Sequence, residues 1–240
     1  EEGEAEVLDV ILNSSMGIKE FLAIGDKIEK GKLRARDVVR GGESETETTE
    51  EGVVKTLNYQ DRWIRDGQTI WSERLIPEGI RAEVEHNEHN EMQAPHEHFN
   101  YQTAAQWLVH NTDGSLTLNY VDPVHKAIVY YPPGEYGQAN FVPDWTLHSH
   151  IFKPTALQKM TRLDKPAPAG AHWYKQENKD SELTLLWSDT LQIPLSLEKK
   201  AKNGFHHYQM QIEPVTSGTM PRPWLTLAKY EKKEVSDFLD

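Results

Sequence analysis

Residues 111–131 of the chain read NTDGSLTLNYVDPVHKAIVYY, in which apolar and polar side chains alternate between two turn signals. The first signal is NTDG at residues 111–114, and the second is Asp122-Pro123. One face of the intervening strand would carry Leu116, Leu118 and Tyr120, and the other Ser115, Thr117 and Asn119. A two-residue period with one polar face is typical of an antiparallel sheet.

The same pattern extends in both directions along the chain. Asp66-Gly67 joins strands predicted at residues 59–65 and 68–74, because Asp-Gly supplies the positive φ angles of a tight hairpin turn. Further strands are predicted at residues 32–40, 103–110, 115–121, 125–131, 183–187, 193–198 and 205–212. Between them we expect a mobile acidic loop at 41–52, Pro- and Gly-rich loops at 132–145 and 164–170, and a short helix at 155–163.

Helical periodicity is concentrated near the start of the chain. Apolar residues recur at three- and four-residue steps over residues 6–29, which predicts one helix or two shorter ones. No repeat of fixed period appears, and neither Pro-rich loop separates independent core patterns. We therefore expect a single domain over residues 1–240, with a helical segment at 5–30 and a β-meander at 31–235.

Composition excludes several classes of protein. The chain has 240 residues, no Cys and a formal net charge of −12. The acidic balance argues against nucleic-acid partners, and no stretch approaches the roughly 18 apolar residues of a transmembrane segment. The absence of Cys removes disulfides and thiolate chemistry. A start at Glu1 rather than Met fits a removed signal or anchor segment, or a trimmed sequence.

Histidines form two clusters that suggest an alternative function. His96 and His98 lie in a His- and Glu-rich segment, and His148 and His150 form a second H-x-H. On a strand, residues i and i+2 share a face, so such a pair directs two imidazoles toward one metal ion. A cupin-like metal enzyme would use this arrangement, but the Glu that should follow His98 is missing. A hydrated loop is the structural alternative.

Aromatic residues are frequent in or beside the predicted strands. Core packing explains most of them, yet a single sheet of about ten strands has too few predicted helices to cover one face unless the sheet curls. A curled sheet with a helical lid would enclose an apolar cavity suited to a hydrophobic ligand.

Three motifs resemble segments of bacterial lipoprotein-carrier proteins of the LolA, LolB, LppX and RseB type. RLIPEGIRAEV at 74–84 is similar to the family's R-x-x-P-x-x-x-R-x-E segment. Within residues 111–131, Gly114, Tyr120, Asp122 and Lys126 match the family's hairpin, and LTLLWSDTLQIPLSLE at 183–198 resembles its strand pair. The order of the motifs covers about residues 5–235. A lipoprotein Cys is absent, and the segment between His86 and His98 is longer than a minimal carrier needs.

The resemblance implies an α+β, mainly antiparallel fold. It implies a strongly curved, unclosed half-barrel sheet, with an N-terminal helix and short helices lidding the concave face. It also implies a non-enzymatic carrier or sensor, periplasmic or outer-membrane-associated, whose partner is a lipid, an acylated protein or a cell-envelope protein. No cofactor, nucleic acid or transmembrane segment is expected. A cell-envelope structural or interaction module without a ligand is a further alternative.

The expected ligand site combines a lid, a rim and sheet aromatics. Arg81 would orient or anchor the rim at the position where the family keeps an Arg. The predicted ligand-binding residues are Leu8, Ile11, Leu12, Phe21 and Leu22 on the lid, and Trp71, Trp107, Tyr120 and Trp187 on the sheet. Which face of the sheet points inward stays open, because a one-residue error in register inverts the assignment.

Overall fold

The computed structural model describes residues 37–48, 54–76, 103–214 and 222–238, and for residues 37–48, 55–59 and 238 the backbone alone. The strands are β1 Asp37–Thr48, β2 Val54–Asp66, β3 Thr69–Arg74, β4 Ala105–His110, β5 Leu116–Asp122, β6 Ala127–Tyr131, β7 Thr161–Leu163, β8 Ala171–Glu177, β9 Ser181–Ser188, β10 Ile193–Ala201, β11 His206–Pro214 and β12 Glu231–Glu234. The helix α1 spans Trp145–His150, and 3-10 helices span Pro133–Glu135, Pro154–Lys159, Pro223–Lys229 and Val235–Phe238.

Hydrogen bonding arranges the strands in the order β12-β6-β5-β4-β3-β2-β1-β11-β10-β9-β8-β7. The sheet is unclosed, because the strands at the two ends of this order are not paired with each other among the described residues. The strand pairs whose register is defined are antiparallel, except that β12 runs parallel to β6. The fold is therefore mainly antiparallel β, as the sequence predicts. The predicted curvature and lidding helices stay predictions.

The predicted hairpins are confirmed, but the loop of the first is Gly67-Gln68 rather than the predicted Asp66-Gly67. The β2–β3 and β4–β5 hairpins turn at Gly67 and Gly114, which have φ angles of 57° and 87°. The β10–β11 hairpin turns at Gly204 with a φ angle of 76°. A side chain with Cβ is strained in this region of φ, so glycine defines where each chain reversal falls.

Two other local predictions are wrong. Residues 41–48 belong to β1 rather than to a mobile loop, because main-chain pairing with the neighbouring strands outweighs their polar composition. The helix expected at 155–163 is the 3-10 helix Pro154–Lys159 followed by β7. The strand β8, which follows directly on the Pro-rich loop, was not anticipated. The helix predicted over 6–29 lies outside the described residues.

Two compact units divide the described residues. The first unit comprises Val39–Gln60 and Asp144–Glu213, and the second unit comprises Asp61–Pro143 and Pro214–Asp240. The expectation of a single domain stays a prediction. None of the helices in the described part of the chain is long and apolar enough to cross a membrane.

The first unit packs one face of its strands into a core, and its other face is polar in one part and buried in another. Register places Leu185 opposite both Leu197 and Tyr174, and Leu197 opposite Met210. The buried apolar residues of this unit are Leu147, Ile151, Phe152, Met160, Ala171, Leu183, Leu185, Leu186, Trp187, Ile193, Leu197, Tyr208, Met210 and Ile212. On the other face, Glu198 Oε1 lies 2.9 Å from His207 Nε2, whereas Leu186, Ser188 and Ile193 are buried farther along the same face.

Candidate functional site

A row of side chains crosses the second unit from strand to strand. The register pairs Ile64 with Trp71, Trp71 with Trp107, Trp107 with Asn119, and Asn119 with Tyr130. Directly paired residues point to the same side of a sheet, so these five residues form one row, here called the tryptophan row. Its side of the sheet is the tryptophan face. Ile64 and Trp71 are buried at 0% and 3% exposure, Asn119 is buried as well, and Tyr130 at the end of the row is 37% exposed.

Two tight turns fix this row. The loop between β2 and β3 consists of Gly67 and Gln68, since Asp66 pairs with Thr69. The turn between β4 and β5 is closed by the Asn111 N–H, which donates to the Ser115 carbonyl at 2.8 Å. Each turn sets the register of the strands that it joins, and a slip of one residue would move every tryptophan to the opposite face.

An apolar cluster surrounds the first three members of the row. It contains Ile64, Trp71, Ala105, Val121, Ile128 and Leu227, with Trp107, Trp224 and Tyr230 partly buried against it. The rings of Trp71 and Trp224 lie 6.5 Å apart at 43°. The side chains of Trp224, Leu227 and Tyr230 come from the C-terminal segment, so this segment covers part of the tryptophan face.

We call residues 222–230 the strap. Its start is held by an ion pair in which Arg222 Nε lies 2.7 Å from Asp66 Oδ2. Its end is held where the Glu231 N–H donates to the Lys126 carbonyl at 2.8 Å, at the beginning of the β12–β6 pairing. Between these anchors runs the 3-10 helix Pro223–Lys229, in which Leu225 is 68% exposed. The strap is thus fixed at both ends and carries apolar side chains inward.

The indole N–H groups of Trp71 and Trp107 are buried and have no acceptor in the described part of the chain. Trp173, by contrast, donates its N–H to the Pro166 carbonyl at 3.0 Å. An unmade hydrogen bond of a buried donor costs about 1–3 kcal/mol. Two such donors on directly paired residues are therefore an exceptional feature of this face.

The opposite face of the second unit is a solid core. Its fully buried members include Trp63, Ile70, Leu108, Leu118, Val129 and Tyr131. Tyr120 belongs to this face, where Gln106 Nε2 donates to its hydroxyl at 3.2 Å and its ring meets that of Tyr131 edge to face. Burial raises the pKa of Tyr120, and the Gln106 hydrogen bond offsets only part of that shift.

The predicted site residues are only partly brought together. Trp71 and Trp107 are neighbours on one face, whereas Tyr120 lies on the other face and Trp187 lies in the core of the first unit. Leu8, Ile11, Leu12, Phe21, Leu22 and Arg81 lie outside the described residues. Sequence reasoning missed the strap as part of the site. The available signal was PWLTLAKY at residues 223–230, a short aromatic and apolar run outside any predicted hairpin.

The second histidine pair does not have the strand geometry that a shared metal ion would need. His148 and His150 lie on α1, where positions i and i+2 point to different sides. His150 Nδ1 lies 2.9 Å from the Thr146 carbonyl, a contact within the helix. Within the described ranges, no group of three or more His, Asp or Glu side chains could hold a metal ion. His96 and His98 lie outside those ranges.

No family model matches this chain. Among solved structures, it is similar to PNGF-II (TM-score 0.35, 8% identity), over 86% of this chain but only 34% of that one. It is also similar to a Vibrio parahaemolyticus domain proposed to be an outer membrane lipoprotein-sorting protein (TM-score 0.31, 9% identity), over 89% and 95% of the two chains. A DUF1329 family protein from Desulfovibrio piger ATCC 29098 gives a TM-score of 0.30 at 7% identity, over 89% and 95%. TM-scores in this range do not establish a shared fold, and no conclusion about this chain follows from them.

Proposed function

We propose that the chain binds a hydrophobic ligand, a lipid or the acyl chains of a lipoprotein, on the tryptophan face of the second unit. The observation that carries the proposal is the set of partly buried aromatic side chains of Trp107, Trp224 and Tyr230 against a wholly apolar cluster. Aromatic side chains offer large apolar surfaces with a polar edge, a combination common in sites for amphipathic ligands.

The strap supplies a route of entry. Its helix is of the 3-10 type, whose hydrogen bonds have poorer geometry than those of an α-helix, and its first anchor is an ion pair with an Arg side chain that is 52% exposed. An acyl chain that displaces Trp224 and Leu227 replaces apolar contacts with apolar contacts. Burial of the chain at about 25 cal/mol per Å² would drive uptake.

The wider role that we propose is that of a non-catalytic carrier or sensor in the bacterial periplasm or at the outer membrane. Its sheet would curve so that helices lid a concave face. The three motifs that resemble lipoprotein carriers support this role, and so does the open order of the antiparallel strands. Its partner would be an acylated protein or a membrane lipid.

Extraction and binding measurements test the proposal together. We expect organic extraction of the purified protein, followed by mass spectrometry, to release lipid, and the delipidated protein to bind a fluorescent acyl probe. Trp107→Ala should weaken that binding at least tenfold. Trp173→Ala, in the first unit, is the matched control and should leave it unchanged. Recovery of no lipid together with no binding of the acyl probe would overturn the proposal.

A further inference from the structure

We infer that the ligand presents an oxygen acceptor to the tryptophan row, namely the carbonyl of an acyl ester or the carboxylate of a fatty acid. This inference rests on the proposed function, because it names the polar chemistry of a ligand bound at the same face. It starts from two donors, the indole N–H groups of Trp71 and Trp107, which are buried without an acceptor among the described residues.

The position of the two donors favours a single acceptor group. Trp71 and Trp107 are direct cross-strand partners, and such partners have Cβ atoms about 4.5–5.5 Å apart. Both side chains belong to the same apolar cluster, so both N–H groups lie in the same desolvated region. A carboxylate carries two acceptor oxygens and an ester carbonyl oxygen carries two lone pairs, so one such group has the capacity to accept from both indoles.

A ligand group without an acceptor cannot pair with these donors. Indole N–H is a donor only, so an ammonium or trimethylammonium head cannot satisfy it, and neither can a plain hydrocarbon. Asn119 is the next residue of the row beyond Trp107 and is followed by Tyr130, so the row carries polar groups on that side of the two tryptophans. A ligand with its acyl chain against the cluster and its oxygens at the indoles matches this gradient from apolar to polar.

Three probes of matched chain length separate the possible sources of the acceptor. Laurate carries a carboxylate, methyl laurate carries an ester carbonyl, and dodecyltrimethylammonium carries no acceptor. Laurate and dodecyltrimethylammonium are used below their critical micelle concentrations and methyl laurate below its solubility limit, each with the full-length delipidated protein. We expect laurate and methyl laurate to bind at least tenfold more tightly than dodecyltrimethylammonium. If laurate binds more tightly than methyl laurate, the result indicates a free fatty acid as the natural ligand. If methyl laurate binds more tightly, the result indicates an acyl ester.

Substitution of Phe for Trp removes the donor and keeps an aromatic ring. Trp71→Phe and Trp107→Phe should each weaken the binding of laurate and methyl laurate by about three- to tenfold, the range expected for one net hydrogen bond. Binding of dodecyltrimethylammonium should not change. Trp173→Phe is the control, because its N–H already donates to Pro166 in the first unit. If Trp71→Phe fails to fold, the partly buried Trp107 carries the test.

Nuclear magnetic resonance measures the chemical shift of each indole N–H, which reports hydrogen bonding at that group. A change in the shape of the binding site alone would not mimic this readout. The protein has seven Trp, and we expect two indole N–H signals to shift downfield with laurate and with methyl laurate, but not with dodecyltrimethylammonium. Equal loss of affinity for all three probes in the Phe variants would overturn the inference while leaving the proposed function intact. Unchanged affinity of Trp71→Phe and Trp107→Phe for laurate would also overturn the inference and leave the proposed function intact. Failure of all three probes to bind the wild-type protein would overturn both.

Discussion

Leu108 on β4 lies directly opposite Leu118 on β5, and neither side chain has solvent-exposed surface. We expect Leu108→Ala and Leu118→Ala each to lower the free energy of unfolding by about 2–5 kcal/mol, because each leaves a cavity in a packed core. The double variant should lose less than the sum, since the two cavities merge. Chemical denaturation followed by circular dichroism measures this. Leu225→Ala is the exposed control and should change stability by less than about 0.5 kcal/mol. A loss of stability in the double variant equal to the sum of the two single losses would contradict the packing of Leu108 against Leu118.

Lys126 has a φ angle of 52°, in the region that side chains with Cβ rarely adopt. It ends the turn before β6, and its carbonyl accepts the N–H of Glu231 at the end of the strap. We expect Lys126→Gly to stabilise the protein by about 0.5–1 kcal/mol, because relief of backbone strain outweighs the added freedom of the unfolded chain. Thermal unfolding checks this. Val124→Gly, at a residue of the same turn without positive φ, should destabilise, and a loss of stability in both variants would refute the strain at Lys126.

Asp144 combines a helix cap with an ion pair. Its Oδ1 accepts from the Leu147 N–H at 3.0 Å, and its Oδ2 lies 2.6 Å from Lys153 Nζ. Burial raises the pKa of Asp144, but the hydrogen bonds from Lys153 and Leu147 outweigh it, so the net pKa lies below the usual value. A carboxyl with a depressed folded pKa stabilises the fold above its unfolded pKa of about 3.9, and this contribution is lost as pH falls through the folded pKa.

Two substitutions of Asp144 separate the contribution of its helix cap to stability from the contribution of its charge. Asp144→Ala should lower stability by about 1 kcal/mol near neutral pH, while Asp144→Asn keeps a cap acceptor and should lose about 0.5 kcal/mol, the contribution of a partly exposed ion pair. The difference between wild type and Asp144→Asn should shrink as pH falls below the unfolded pKa and vanish below the lowered folded pKa of Asp144. Denaturation at a series of pH values measures it. A difference that persists at low pH would show that charge is not its cause.

The ion pair between Arg222 and Asp66 should control how easily the strap is displaced. We expect Arg222→Ala to raise both the association and the dissociation rates of an acyl probe by a few-fold, because an exposed ion pair contributes about 0.2–1 kcal/mol. Stopped-flow fluorescence measures the rates. The exchanged pair Arg222→Asp with Asp66→Arg should recover part of the wild-type behaviour. Unchanged rates in Arg222→Ala would show that the strap does not limit access.

Local alternation predicted the strands well, but it could not define the site. Leu116, Leu118 and Tyr120 do share a face, as their spacing requires. The spacing within β5 does not say which residues of β3 and β4 join that face. Trp71 and Trp107 lie instead with the polar set, beside Asn119, so the apparently hydrated face of β5 is the one that carries the candidate site.

Turn chemistry correctly predicted a hairpin between β2 and β3, but it placed the loop one residue too early, at Asp66-Gly67. A two-residue loop at Asp66-Gly67 would place Trp71 opposite Arg62, whereas the observed loop is Gly67-Gln68 and pairs Trp71 with Ile64. Glycine fits the second position of one tight turn type and the first position of another, so Asp-Gly alone does not choose between them. The contribution of the strap depends on tertiary contacts that no local pattern encodes.

The two outermost strands have a consequence for how the protein behaves at high concentration. At one end lies β7, which has only three residues and leads into the Pro-rich stretch 164–170. At the other lies β12, whose sequence EKKE is wholly charged. Unpaired strand edges recruit strands from other molecules unless they are short, charged or interrupted by proline. In the part of the chain that the structure describes, both margins therefore discourage a second molecule from extending the open sheet by adding a strand.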